Sequence, residues 1–164
     1  SAAFALEQLK KLRLLVKSRQ FAAERLSKGL SNLEGLRTPV VRDDCTHVYY
    51  VYPLILDSDM LDIDKKKVIK ALSCEGVPGL ASNYTNLHLL PMYQKKIAYG
   101  SKGFPWSMAD RDISYQKGIC PVAERLNDKD YFGIEMCLHK YSDLEIDLMI
   151  EAFQKVWGNL ELLR

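Results

Sequence analysis

The sequence predicts an α+β domain: a small, mainly antiparallel sheet covered by helices. Three observations carry that prediction. Residues 1–30 repeat leucine, valine and alanine at three- and four-residue steps, the period of a helix with one apolar face. Two runs rich in β-branched and aromatic residues, His47–Tyr52 and Tyr131–Leu138, read as strands. A second periodic stretch near the C-terminus follows a helix-capping motif. The order helix, strand, helix, short strand, loop, strand, helix does not alternate regularly enough for a parallel sheet.

Composition agrees. The chain has 164 residues, 48% hydrophobic and 27% charged, which suits one domain with its own core and excludes a disordered, collagen-like or small disulfide-stapled protein. Lys and Arg number 23 against 21 Asp and Glu, a net charge of +2. Such a balance gives no electrostatic reason to bind nucleic acid or an anionic membrane. The longest apolar stretch, Val48–Leu56, is broken by Pro53 and too short to span a bilayer. The N-terminal stretch is charged and amphipathic, unlike a secretory signal.

Taken in order, the first helix carries Leu6, Leu9, Leu12, Val16, Ala23, Leu26 and Leu30 on one stripe, with Lys10, Lys11, Arg13, Lys17 and Arg19 mostly off it. At ~1.5 Å per residue it is roughly 40 Å long, longer than the ~30 Å diameter expected of a compact domain this size. One end is therefore expected to project and to pack on something outside this chain. Pro53 predicts an edge position or a bulge in the first strand. Asp62 or Asp64 caps the next helix, which runs through Lys65–Leu72 and stops at Gly76. A short strand is expected at Val77–Ala81. Residues 82–118 show no clear period and carry aromatics, glycines and prolines, the character of a functional loop. Pro121 opens a short helix. Ser142 and Glu145 form a capping box ahead of Ile146, Met149, Ile150, Phe153 and Val156.

Most chemistry can be set aside. Cys45, Cys74, Cys120 and Cys137 make no Cys-x-x-Cys unit, so no metal site is expected, and the thiols read as reduced and mostly buried. Cys137 and His139 lack a third orienting group for nucleophilic catalysis. No glycine pattern cradles a phosphate. Asp43–Asp44 and Asp128/Asp130 read as solvated carboxylates, and Lys65–Lys67 as the wet face of a helix. The segment Asn83-Tyr84-Thr85-Asn86-Leu87-His88 stands out, because an amide, a phenol and an imidazole within six residues suit a polar ligand.

These pieces together resemble the C-terminal part of the DegT/DnrJ/StrS sugar-nucleotide aminotransferases. Ala2–Leu12 is similar to the family helix A-A-x-G-x-x-Q-L-x-K-L, with Arg19 and Ala22 following as R-x-x-x-A. His47–Tyr52 matches H-x-Y-Y/H-x-Y/F, and Leu72–Val77 resembles L-x-x-x-G-I. Asn83–His88 with Pro91-Met92-Tyr93 resembles H-Y-x-P-L-H and its downstream P-x-Y. Cys120–Leu126 resembles F/Y-P-x-A-E-x-L, and 142–157 the terminal family helix. Asn83 stands where the family usually has His, Asn86 where it usually has Pro, and Ala5 replaces a common Gly. The arginine at the start of the second helix appears only as Lys65 or Lys66, and Gly100–Gly118 has no counterpart.

The resemblance implies the small C-terminal domain of a fold-type I, pyridoxal-phosphate-dependent transferase. Residues 1–164 would be that single domain, with helix 1–30 linking to or packing on an N-terminal domain that holds the Schiff-base lysine. It implies ping-pong transfer of an amino group, commonly from glutamate, to a keto-sugar nucleotide. The implied enzyme is a cytoplasmic homodimer. The piece by itself is expected to be inactive, with no catalytic residue and no covalently held cofactor. Tyr84, His88 and Asn83 would touch substrate or the cofactor's outer edge, and Lys66 a nucleotide phosphate. The alternative is a non-enzymatic interaction module that docks through its first helix.

Overall fold

The computed structural model describes residues 2–82, 85–138 and 140–164. Its order is α1 (Ala2–Leu30), β1 (Leu36–Arg37), β2 (Val51–Leu56), α2 (Ser58–Leu61), α3 (Lys65–Cys74), β3 (Leu80–Ala81), α4 (Pro91–Lys95), α5 (Pro121–Arg125), β4 (Tyr131–Glu135) and α6 (Asp143–Trp157). The four strands lie in the order β1-β2-β4-β3, all antiparallel. The predicted α+β class, with its long first helix and helix-covered antiparallel sheet, is the one observed.

Alternation sets the core. Along β2, Tyr52, Leu54 and Leu56 are buried while Val51, Pro53 and Ile55 are only partly covered, so one face turns inward. Phe132 and Ile134 of β4 join them without exposure. The second half of α1 supplies Ala22, Ala23, Leu26 and Leu30, and α6 supplies Ile146, Met149, Phe153 and Val156. Phe153 stacks on Phe132 and on Trp157, with ring centroids 6.5 and 6.0 Å apart. A Cβ at Gly29 would stand 2.6 Å from Ile150 Cδ1, so α1 and α6 approach closely only because that residue has no side chain. Tyr52 shares a 2.8 Å hydrogen bond with Ser27, and burial pushes its phenol up to about 12.

Several expectations need correction. Pro53 is not on an edge strand, because β2 pairs with both β1 and β4. However, β1 covers only Leu56 and Ile55, so the flank of Pro53 towards β1 carries no ladder. Its partner Gly133 is required by that approach, since a Cβ there would meet Val51 Cγ2 at 2.7 Å. The strand expected from His47 is β2 and begins only at Val51, because Tyr49 adopts a positive φ of 49° that ends extended pairing. Likewise, β3 holds only Leu80–Ala81 and β4 stops at Glu135. All four cysteines are free, but they are exposed and not buried. The region 82–118 contains α4, with Pro91 in its first turn, and short 3-10 turns at Leu87–Leu89 and Trp106–Met108.

The first half of α1 leaves the core. Leu6, Leu9 and Leu12, on one stripe, are 48–62% exposed, and Phe4 and Leu14, on the other side of the helix, are 69% and 73% exposed, so the described residues leave this half of the helix uncovered. No described helix is long and apolar enough to cross a membrane.

Candidate functional site

Buried charge is costly unless it is paired, so its location is informative. Among the described residues three charged side chains are buried: Lys65, Glu124 and Asp130. Two side-chain atoms among the described residues are buried without a hydrogen-bond partner, Asn86 Nδ2 and Asn127 Oδ1. All five lie on the start of α3, the 82–88 segment and the 118–130 segment.

The two segments meet at a pair that joins separate sequence motifs. His88, in the 3-10 turn Leu87–Leu89, places Nε2 2.9 Å from Glu124 Oε1 of α5, with only 11% and 7% of the two side chains exposed. Pro121 opens α5, and the carboxylate of Glu124 folds back over the helix start, where the macrodipole favours an anion. There it accepts the Gly118 amide on both oxygens at 2.8 Å and the Cys120 amide at 3.2 Å. Gly118 turns that amide inward at a φ of 105°. Burial pushes the Glu124 carboxyl up, but the Gly118, His88 and Cys120 donors outweigh it and hold the group below the usual carboxylate value. An ionised carboxylate only accepts, so His88 Nε2 is the donor. Nδ1 is then the ring atom left for other partners, and it bonds to no described residue.

A second tie lies beneath. Lys65 is 2% exposed and donates to the carbonyl oxygens of Ser82 at 3.2 Å and Asn127 at 2.6 Å. Burial lowers its pKa against the attraction of Asp128, Asp130 and Asp64. Asp130 in turn accepts from Ser58 Oγ at 2.8 Å and from Arg125 Nε at 2.7 Å, and Arg125 reaches Asp59 at 3.0 Å. Gln94 of α4 braces the segment from outside, donating to the carbonyls of His88 and Tyr115 at 2.6 and 2.5 Å. Tyr93, Trp106 and Tyr115 pack edge-on and tilted around it, with Trp106 Nε1 donating to Tyr115 Oη at 3.0 Å. Beyond α4 and the short turn at Trp106–Met108, residues 96–115 are held by these aromatic contacts.

Of the expected site residues, His88 is at the centre of this arrangement. Asn83 and Tyr84 lie outside the described residues, as does His139. Lys66 is exposed on the first turn of α3, where its backbone N–H donates to the capping Asp64 at 2.8 Å. It borders a recess of about 350 Å³ shared with Asp59, Asp62, Asp64 and Asp128, so carboxylates offset its charge. Asp62 ends α2 in a left-handed conformation, leaving the α3 cap to Asp64.

Sequence reasoning missed Lys65 and Glu124. The run Lys65–Lys67 reads as the wet face of a helix, yet Lys65 falls on the Lys65, Val68, Leu72 stripe that α3 buries. That spacing was the available signal. Asp130 was read as solvated and is 5% exposed, because Ser58 and Arg125 complete its hydrogen bonds from elements distant in sequence.

Lys65, the buried lysine among the described residues, commits its ammonium to two backbone carbonyls, which leaves it poorly placed as a free amine. Among the described residues no group of three His, Cys, Asp or Glu side chains is placed to hold a metal ion.

A helix-covered antiparallel sheet, a long first helix left half uncovered by the described residues and a polar site on the loops describe a small α+β domain. Comparison with known proteins gives the class. A profile of the DegT/DnrJ/EryC1/StrS aminotransferase family matches residues 1–134, and the chain belongs to that family. It is 30% identical over 142 residues to an uncharacterised protein of Methanocaldococcus jannaschii, covering 85% of this chain and 35% of that protein. It is 34% identical over 107 residues to the spore coat polysaccharide biosynthesis protein SpsC of Bacillus subtilis, covering 65% of this chain and 28% of SpsC. The aminotransferase TlmJ of Streptoalloteichus hindustanus shares the fold at a TM-score of 0.67 and 24% identity, covering 94% of this chain and 35% of TlmJ. The chain therefore spans about a third of the length of the relatives it matches.

Proposed function

We propose that this chain is the C-terminal, substrate-closing domain of an aminotransferase that moves an amino group, from glutamate, to a keto-sugar nucleotide. Family membership over residues 1–134 carries the reading, and kinship with a polysaccharide-biosynthesis protein supports a sugar substrate. The family is pyridoxal-phosphate-dependent, and in this reading the cofactor is anchored on a domain outside this chain.

The chain's own residues bind and orient. Glu124 holds His88 by Nε2, so Nδ1 faces the ligand as acceptor when the ring is neutral and as donor when it is charged. Tyr84 and Asn83 flank the same segment in sequence and are assigned as further hydrogen-bond partners of the substrate or of the cofactor's outer edge. Lys66 is the weaker candidate, for a nucleotide phosphate, because four aspartates share its recess. Lys65 and Gln94 fix the segment that carries these groups, and the buried Lys65 excludes water beneath it. The exposed face of Leu6, Leu9 and Leu12 docks on the cofactor-bearing domain. The whole enzyme is read as a cytoplasmic homodimer, and this chain alone as inactive. A purely interacting module would use the same helix face but leaves the open imidazole nitrogen without a role.

The test is direct. The protein that carries this chain, given 15N-labelled glutamate and a keto-sugar nucleotide, should yield an amino-sugar nucleotide bearing the label, read by mass spectrometry. Failure to aminate with any amino acid of a full panel removes the proposal.

A further inference from the structure

The amide of Asn86 has no use inside the domain. It precedes the 3-10 turn Leu87–Leu89, the position where asparagine ordinarily caps the following backbone N–H groups. It makes no such bond. Its Nδ2 is buried with no hydrogen-bond partner. The side chain is not loose by virtue of its segment. Ser82 is tied to Lys65 on one side, His88 to Glu124 on the other, and Gln94 holds the His88 carbonyl. A buried donor on a braced segment, two residues from an open imidazole nitrogen, is a group awaiting an acceptor.

The chemistry of that acceptor follows from the pair. His88 Nδ1, with Nε2 committed to Glu124, accepts from an O–H in the neutral ring. Asn86 Nδ2 only donates. With the ring neutral, one acceptor and one donor match hydroxyl groups, which give one hydrogen bond and take others. They match a phosphate poorly, since it offers no proton to Nδ1. We propose that Asn86 is a specificity-determining contact that donates to a sugar oxygen of the substrate, beside a hydroxyl that His88 accepts from. The inference rests on reading this chain as the substrate-side domain of a sugar-nucleotide enzyme.

The experiment uses the complete protein that carries this chain. Calorimetric titration with UDP-glucose and dTDP-glucose, and with UDP and dTDP as sugar-free controls, is run on the wild type, Asn86→Ala and Asn86→Asp. Melting of the ligand-free proteins is recorded alongside. Loss of one hydrogen bond predicts about tenfold weaker binding of the bound sugar nucleotide in Asn86→Ala. A larger loss is expected in Asn86→Asp, whose carboxylate repels an oxygen acceptor. Affinity for the sugar-free nucleotide should stay unchanged, and Asn86→Ala should melt at or above the wild type, because an unsatisfied buried group has been removed. Equal binding of the sugar nucleotide by wild type and both variants overturns the Asn86 assignment and leaves the functional reading standing. So does a lowered melting temperature with unchanged affinity, which places the acceptor in the protein. If the wild type binds none of the four probes, the functional reading falls and takes this inference with it.

Discussion

The surroundings of Phe132 and of His88 are closed to water by different means. Around Phe132, the rings of Phe153 and Trp157 and the side chains of Leu54, Ile134 and Leu26 fill space with apolar volume. Such packing has no preferred direction and tolerates replacement by groups of similar size. Around His88 and beneath its segment the same exclusion is achieved with charges, Glu124, Lys65 and Asp130, each donor aimed at a named acceptor, while exposed Gln94 braces the segment from outside. Such a network fixes directions as well as positions, and loss of one member strands its partners. The first environment holds the domain together. The second holds particular atoms, His88 Nδ1 and Asn86 Nδ2, in set places.

That contrast breaks most visibly under truncation. Phe132→Ala should cost about 3–5 kcal/mol of stability, read by urea unfolding, because the cavity cannot collapse between β4 and α6. A loss under 1 kcal/mol would mean that the ring stack is not part of the core. Lys65→Met keeps the stem and removes the ammonium, leaving the Ser82 and Asn127 carbonyls without a donor. A loss of about 1–3 kcal/mol is expected, together with weaker protection of the 82–88 amides in hydrogen exchange. Unchanged exchange there would show that Lys65 does not brace the segment.

Glu124→Gln sharpens the comparison through pH. The folded carboxyl lies below its unfolded value. Its stabilisation is therefore fully present above the unfolded value of about 4.3 and is lost as pH falls through the folded one. The variant should unfold in urea with a flatter acid limb than the wild type, while Phe132→Ala shifts the whole curve without changing its shape. Identical acid limbs for wild type and Glu124→Gln would remove the argument from the paired carboxylate. The smallest effect is expected at Leu9→Ser, on the exposed half of α1. In this chain alone it should change stability by less than about 0.5 kcal/mol. In the complete protein it should weaken docking of the domain, seen as faster proteolysis between the two.

Legibility in the sequence divides along the same line. The apolar region is readable because its signals are local: the Ala23, Leu26, Leu30 part of the α1 stripe, the β-branched and aromatic run that leads into β2, and the Ser142–Glu145 box. The polar region is not, because its partners are far apart in the chain. His88 and Glu124 are separated by 36 positions and Lys65 and Asn127 by 62, and no local pattern announces either pair. His88 was found as a candidate by its residue type and its motif. Glu124, which sets the direction of that ring, sat in plain view in another motif with no sign of what it faced. The two-residue β1 and the four-residue α2 also escaped, being too short to show a period.

The most direct test is hydrogen–deuterium exchange of the complete protein with and without a bound nucleotide sugar. The account predicts new protection in peptides covering 85–92 and 115–127, while the strand 51–56 and the helix 143–157 exchange as before. Protection confined to those core elements, with the two polar segments unchanged, would place the ligand elsewhere and contradict it.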